Sequence, residues 1–142
     1  MIVFFDTSAL VKAYVDEPGS DLVLRLWDDA SPPIGSVLVY AETHAALARR
    51  LREGAPPELI HAVAETFEKH WTNILPMPVD VGVLLTCRRL VQRYPLRGAD
   101  AVHLASAIEA RTLAGEPVTF ACADDRLIEA AHAEGFDVRV TR

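Results

Sequence analysis

Short apolar runs alternate along this chain with longer stretches that have the spacing of an amphipathic helix. The run from Ile2 to Phe5 is too brief for a helix, and it ends at Asp6, Thr7 and Ser8, which are residue types that favour a helix N-terminus. A repeated strand-then-helix pattern implies parallel strands joined by crossover connections. The alternation therefore predicts an α/β fold with a central, mostly parallel sheet of about five short strands flanked by helices.

The same patterns give approximate bounds for each element. Strands are expected over residues 2–5, 34–37, 74–79, 118–121 and 136–140. Helices are expected over residues 9–15, 20–28, 36–52, 56–67, 80–91, 98–114 and 124–134. The two helices on either side of Gly54 are predicted to form an antiparallel helical arm. With 142 residues, of which 51% are hydrophobic, we expect a single domain over residues 1–142.

Composition and charge exclude several classes of protein. No apolar run approaches the roughly 20 residues of a membrane span, and the first residues form no basic leader, so we expect a cytoplasmic protein with no membrane partner. Cys87 and Cys122 lack the spacing of a zinc or redox motif and are predicted to be reduced core thiols. The net charge of −6 argues against a broad basic surface for nucleic acid. An RNA partner would need a local attraction, such as cations bound by carboxylates.

Four carboxylates stand where they could share one site. Asp6 and Asp124 each follow a predicted strand, and parallel strands would bring them to the same sheet edge. Asp100 begins a helix that is apolar nearly all round, and Glu42 interrupts an alanine-rich helix. Each has an ordinary explanation, since the aspartates could simply cap helices and Glu42 could face solvent. Their convergence favours a shared acidic site.

Clustered carboxylates repel one another unless a cation neutralises them. Ligands that are all oxygen favour Mg²⁺ or Mn²⁺ over zinc. Such ions lower the pKa of a bound water and stabilise charge on phosphoryl oxygens, which suits hydrolysis of a phosphodiester.

The acidic segments also resemble a known family. The stretches IVFFDTSALVK from Ile2, VYAE from Val39, RGADAVHLASA from Arg97 and FACADDRL from Phe120 are similar, in order and spacing, to the four acidic motifs of VapC-type PIN-domain toxins. The resemblance runs from Met1 to about Arg139.

The resemblance implies a PIN-like fold and an endoribonuclease that depends on Mg²⁺ or Mn²⁺ and acts as the toxin of a type II toxin–antitoxin system. It also implies a homodimer and a cognate VapB-like antitoxin that covers the acidic site. Matched position by position, the metal-binding and catalytic acids are Asp6, Glu42, Asp100 and Asp124. Asp125 is a second candidate in the last motif, although it is better explained as a solvent-facing acid in the first helical turn.

Other polar residues near these acids are candidates for substrate binding. Ser8 and Thr7 could bind a phosphate or help to cap the first helix, and Arg97 and Arg126 could contact the RNA backbone or be ordinary surface arginines. His103, one turn after Asp100, is interpreted as a helix-packing histidine rather than a general base.

Two basic clusters lie on predicted helices, one at Arg49, Arg50 and Arg52 and the other at Arg88, Arg89 and Arg93. Each is either a solvated face or a guide for RNA or an acidic partner. The apolar helices over 20–28 and 36–67 are larger than one small core needs, and part of that surface is predicted to meet a second copy or an antitoxin.

Four other kinds of protein are alternatives. A PIN-like nuclease of RNA processing or of structured DNA would use the same metals without an antitoxin. An inactive PIN-fold binding module would lack one of the acids, and none is missing. A phosphoaspartyl receiver needs an acidic pair near the first strand, and an aspartyl phosphatase commonly needs a second Asp where Ser8 stands.

Overall fold

The computed structural model describes residues 1–142, and its elements alternate between strands and helices. The strands are β1 (Ile2–Phe5), β2 (Pro33–Ser36), β3 (Leu75–Met77), β4 (Val118–Cys122) and β5 (Asp137–Val140). The helices are α1 (Thr7–Leu10), α2 (Ser20–Asp29), α3 (Leu38–Arg52), α4 (Pro57–Trp71), α5 (Val81–Arg93), α6 (Gly98–Ala114) and α7 (Asp125–Ala133). The predicted α/β class is confirmed.

All five strands form one sheet in the order β3-β2-β1-β4-β5, and every pairing is parallel. The sheet is thus wholly parallel rather than mostly so. The chain builds outward from β1 through β2 to β3 and then returns to the other side of β1 with β4 and β5. In such sheets the crevice for a ligand lies outside the carboxyl ends of the strands, where the strand order reverses. Here that place is between β1 and β4.

Alternation along β1 divides the core into two layers. Phe4 faces one layer and stacks on Phe120 of β4 at a centroid distance of 5.5 Å. Val3 and Phe5 point to the opposite layer, which is also filled by Phe67 from α4. Helices cover both faces, which is why these short strands read as continuous apolar runs.

The first helical segment differs from its prediction. A single helix was expected over residues 9–15, but α1 is followed by a 3₁₀ turn at Val11–Ala13. Tyr14 explains why the helix stops, because its ring packs edge-on against Phe67 at 5.5 Å and its hydroxyl contacts His70 Nδ1 at 3.0 Å. These contacts with α4 draw the chain out of the helical path.

The turn into α2 requires a glycine. Gly19 has a φ of 96°, and a Cβ at this position would lie 2.1 Å from the carbonyl oxygen of Thr141. A side chain here would therefore clash with the backbone near the C-terminus as well as strain its own backbone.

The remaining helices agree with their predictions to within a few residues. α3 and α4 pack against each other as the predicted helical arm, and α5 packs along α6. Alanines on the buried face of α6 let neighbouring elements approach closely. No helix of the chain combines the length and the apolar character needed to cross a bilayer.

Candidate active site

Asp6 and Asp124 leave neighbouring strands at the same edge of the sheet, as predicted. β1 and β4 pair with Phe5 opposite Ala121, and the backbone N–H of Asp6 continues the ladder by donating to the Ala121 carbonyl at 3.2 Å. Each aspartate then caps the helix that follows it, because Asp6 accepts from the Ala9 N–H and Asp124 from the Leu127 N–H. Capping is thus how the fold positions these carboxylates, and the cap hydrogen bond engages Oδ1 of each.

Asp6 is a buried carboxyl group held by three hydrogen-bond donors. Its side chain accepts from the Ser8 hydroxyl at 2.8 Å on both carboxylate oxygens, from the Ala9 N–H at 2.9 Å, and from the Cys122 thiol at 3.5 Å. Burial raises the pKa of the Asp6 carboxyl, against the opposing effects of His103 and of these hydrogen bonds. Asp6 forms no ion pair with Lys or Arg. A cation bound beside it would offset the cost of burying its charge.

The hydroxyls of Ser8 and Thr7 are engaged within the protein. Ser8 Oγ accepts from the Ala123 N–H at 3.0 Å while it donates to Asp6, so it ties α1 to the end of β4. Thr7 Oγ1 donates to Glu42 Oε1 at 2.8 Å. For these two residues the geometry favours a role in holding the carboxylates over direct binding of substrate.

Glu42 is held by a buried histidine that the sequence analysis assigned to packing. His103 Nε2 lies 2.6 Å from Glu42 Oε1, and Thr7 Oγ1 lies 3.4 Å from the same ring nitrogen. Burial alone would raise the pKa of the Glu42 carboxyl, but hydrogen bonds from His103 and Thr7 outweigh burial and leave the pKa lowered. The interpretation of His103 as a packing residue is therefore incomplete. It was identifiable in principle as the one ionisable residue on the buried face of α6.

Asp100 and Asp124 share one guanidinium group. Arg97 Nε lies 3.3 Å from Asp100 Oδ2, and Arg97 Nη2 lies 3.7 Å from Asp124 Oδ2. The charge of Arg97 also lowers the pKa of Glu42, so three of the predicted acids surround this cation. Asp100 is the third residue of α6 rather than its cap, and it accepts from the backbone N–H of Arg97 at 3.3 Å.

The remaining candidates lie at the margin of the site. Asp125 is 76% exposed and pairs with Arg142, so it faces solvent as expected. Arg126 is exposed and has no ion-pair partner. Lys12 is directed away from the acids, since its Nζ donates to the Pro18 carbonyl at 2.7 Å and pairs with Glu17.

Cys122 is a neighbour of the site that the sequence did not reveal. The prediction of free core thiols is confirmed for this buried residue, but its thiol also contacts Asp6 and the carbonyl of Asp124. Burial raises the pKa of the Cys122 thiol, and the nearby Asp6 charge raises it further. The thiol therefore stays protonated and acts as a donor to Asp6.

The donor set suits a hard divalent cation in its chemistry. Carboxylate oxygens of Asp100 and Asp124 lie 3.3 and 3.7 Å from Arg97, and the buried Asp6 forms no ion pair with Lys or Arg. As the side chains lie, however, no three of the His, Cys, Asp and Glu residues are grouped closely enough to hold one ion. Arg97, whose side chain is 71% exposed, bridges two of these carboxylates.

A cleft of about 590 Å³ opens beside the acids and leads away along α3. Thr7, Ser8 and Glu42 line its end near the site, and Arg49 and Arg50 line its far end. Of the four acids, only Glu42 lines this cleft, which is an open groove and not an enclosed cavity.

Comparison with known proteins gives a consistent result. The PIN domain family matches residues 3–132. The ribonuclease VapC45 of Mycobacterium tuberculosis is 40% identical over 136 residues, which cover 94% of this chain and 92% of the relative.

Solved structures of similar fold agree. The VapC20 toxin of M. tuberculosis, which cleaves the sarcin–ricin loop, has a TM-score of 0.67 at 21% identity and covers 96% of this chain and 98% of its own. A chain of a toxin–antitoxin complex from Klebsiella pneumoniae has a TM-score of 0.70 at 14% identity, with coverage of 99% and 98%.

Proposed function

Because this chain belongs to the PIN domain family, we propose that it is an endoribonuclease that hydrolyses RNA phosphodiester bonds and acts as the toxin of a VapBC-type toxin–antitoxin pair. The relative with 40% identity is named a ribonuclease, and the similarity extends over nearly the whole of both chains. The observation in the structure that carries the proposal is the set of acids around Arg97. Asp100 and Asp124 both pair with this single cation, and its charge lowers the pKa of Glu42. Asp6 directly follows β1, which pairs with β4, the strand that leads to Asp124.

We assign Asp6, Glu42, Asp100 and Asp124 as the catalytic acids and as the ligands of Mg²⁺ or Mn²⁺. A divalent cation held there would supply activation of a water and Lewis-acid stabilisation of charge on the phosphoryl oxygens. The chain's own residues hold the ligands ready, since Ser8 and Ala9 fix Asp6 while Thr7 and His103 fix Glu42. Such outer contacts orient ligands and tune their affinity.

Arginines at the margin of the site would bind the substrate. When Arg97 leaves Asp100 and Asp124, its guanidinium is positioned at the edge of the site, where a phosphate of the RNA would lie. Arg126, exposed in the first turn of α7, is a second candidate for such a contact. An RNA substrate implies that the protein acts in the cytoplasm.

An antitoxin partner is proposed from the relatives and from the surface of the helices. Similar folds occur in toxin–antitoxin complexes. Exposed apolar side chains lie on α2, α3 and α4 and at the residue before α3, as expected for a surface that a partner covers: Leu24, Val37, Tyr40, Leu51 and Leu59.

A homodimer is proposed from the outer face of α5. Val81, Leu84, Leu85 and Val91 are between 45% and 72% exposed, and Val81, Leu84 and Leu85 follow the spacing of one helical stripe. A stripe of this kind on an otherwise amphipathic helix suits contact with a second copy.

The test is cleavage of labelled RNA by the purified chain, with Mn²⁺ or Mg²⁺ and with a chelator, beside the Asp6→Asn variant. We expect cutting that requires the metal and disappears in the variant. Cleavage without any binding of an antitoxin encoded nearby would favour an RNA-processing nuclease. A folded chain that cuts neither structured nor single-stranded RNA would favour an inactive binding module.

A further inference from the structure

The exposed face of α3 extends from the acidic site to two arginines. Glu42, Ala45, Ala46 and Arg49 are spaced as one helical face, and they line a groove together with Arg52. We call these five residues the α3 track. Arg49 also lines the larger cleft that contains Thr7, Ser8 and Glu42, so the track is continuous with the site.

The two arginines of the track have no ion-pair partner, whereas the cations beside them are paired. Glu17 lies between Lys12 and Arg50, at 3.3 Å from the first and 3.2 Å from the second. Arg49 and Arg52 are exposed and form no salt bridge. Their charges are therefore available to an anion from solution.

The rest of the protein makes such a local attraction necessary. The chain has a net charge of −6, which repels a polyanion at long range. The alanines at the centre of the track carry no side chain beyond Cβ. A nucleic-acid strand can therefore lie close to the helix between Glu42 and Arg49. The helical rise places Arg49 about 10 Å from Glu42 along the axis. A phosphate bound there would belong to the strand beside the scissile bond, not to the bond itself.

We propose that the α3 track binds the phosphates of a single-stranded RNA segment next to the cut site, with Arg49 and Arg52 as the contacting residues. This inference rests on the proposed function and specifies where its substrate lies. Guanidinium groups bind phosphate through paired hydrogen bonds, and each such contact displaces counterions from the nucleic acid. Binding along the track should consequently depend on salt.

The test measures affinity in a protein that binds RNA but does not cut it. A labelled RNA of about 12 nucleotides is titrated with the Asp6→Asn protein and followed by fluorescence anisotropy over a range of salt concentrations. The same titration is made with Arg49→Ala and Arg52→Ala added together. Arg25→Ala is the matched control, because Arg25 is an exposed arginine on α2 without an ion pair and lies outside the cleft.

We expect the double variant to weaken RNA binding about tenfold near 0.1 M salt and to reduce the slope of log K against log salt by roughly 1.4. The Arg25→Ala control should change neither quantity. Arginines in the last turn of a helix also interact with its dipole, so the melting temperature is measured for each variant. A loss of affinity without a matching loss of stability supports the phosphate contact.

Two results would overturn the inference, and they differ in what else they remove. If the double variant binds with unchanged affinity and slope while the unmodified chain cuts RNA, only the α3 track is wrong. If the Asp6→Asn protein binds no RNA and the unmodified chain cuts none, the proposed function fails with it.

Discussion

His103 Nε2 lies 2.6 Å from Glu42 Oε1, and this contact joins the buried face of α6 to an acid of the candidate site. To donate to the carboxylate, the ring must carry a proton on Nε2. Its other nitrogen, Nδ1, is buried and has no hydrogen-bond partner. His103 is thus a positioning residue for Glu42.

Replacing His103 with Leu should weaken both metal binding and cleavage. Glu42 would keep only the hydroxyl of Thr7 as a partner, and loss of an outer contact to a metal ligand typically costs 10- to 100-fold. His103→Gln should lose less metal affinity and less cleavage activity, because its amide can still donate to Glu42. The measurement is a Mn²⁺ titration beside circular dichroism. A folded His103→Leu protein with unchanged Mn²⁺ affinity would show that the contact is only structural.

Arg97 should compete with the metal for Asp100 and Asp124. Its guanidinium lies between these carboxylates, so an ion that binds there must first displace it. Arg97→Gln is expected to tighten Mn²⁺ binding roughly two- to fivefold, since the pair is exposed and therefore weak. The same variant should raise KM for RNA. Weaker Mn²⁺ binding in Arg97→Gln would mean that Arg97 supports the site instead of competing for it.

The order of the elements and the positions of Asp6 and Asp124 were predictable because they follow from local patterns. Apolar runs give the strands, and the residue after a parallel strand lies at the carboxyl edge of the sheet. The caps formed by Asp6, Asp80 and Asp124 were identifiable in the same way. These features depend on residues that are neighbours in sequence.

Contacts between distant elements were not predictable in this way. The distance from His103 to Glu42 depends on how α6 and α3 rotate about their axes, and a single sequence leaves that phase uncertain. The thiol of Cys122 was assigned to the core, and only the pairing of β4 with β1 brings it to Asp6. Tyr14 similarly ends the first helix through contacts with α4 that no local pattern reports.

Divalent metal should stabilise the unmodified chain and not the Asp6→Asn variant. Without metal, burial raises the pKa of Asp6 above its ordinary value of 3.8, so the charged form destabilises the fold as the pH rises through the raised value. Asp6→Asn at neutral pH should therefore be no less stable than the unmodified chain in chelator. An ion at 100 times its Kd adds about 2.7 kcal/mol to the unmodified chain.

Thermal unfolding in chelator and in Mn²⁺ tests this expectation. Asp125→Asn is the control, since Asp125 is 76% exposed and its loss should leave the metal-dependent gain unchanged. If Mn²⁺ stabilises Asp6→Asn as much as the unmodified chain, Asp6 is not a metal ligand.

Glu134 should make a contribution to stability that disappears in acid. Its carboxylate, 10% exposed, accepts from Arg89 at 2.6 Å and from the Tyr94 hydroxyl at 2.8 Å, and so links the end of α7 to α5. The hydrogen bond from Arg89 is the main reason that the pKa of Glu134 is lowered from its ordinary value of 4.5. The stabilisation is therefore complete above about pH 4.5 and is lost as the pH falls through the lowered value.

Glu134→Gln should accordingly lower the free energy of unfolding by up to about 1 kcal/mol at pH 7. The difference from the unmodified chain should shrink below pH 4.5. Urea unfolding at several pH values measures it, with Glu129→Gln on the exposed side of α7 as the control. A difference that stays constant down to pH 3 would contradict the assigned ion pair.

Leu85 should be essential for the proposed dimer. It is 62% exposed on α5, between Val81 and Arg88 on the outer face of the helix, and it makes no contribution to either core layer. Leu85→Glu would place a charge at the centre of a contact between two copies, where burying an unpaired carboxylate is costly. The variant should therefore be monomeric under conditions in which the unmodified chain is dimeric, with the same circular dichroism spectrum. Light scattering after size exclusion gives the mass of each.

Leu59→Glu, at a residue that is 55% exposed on α4, controls for the loss of an exposed leucine and should remain dimeric. Loss of the dimer in Leu59→Glu but not in Leu85→Glu would place the interface on the helical arm.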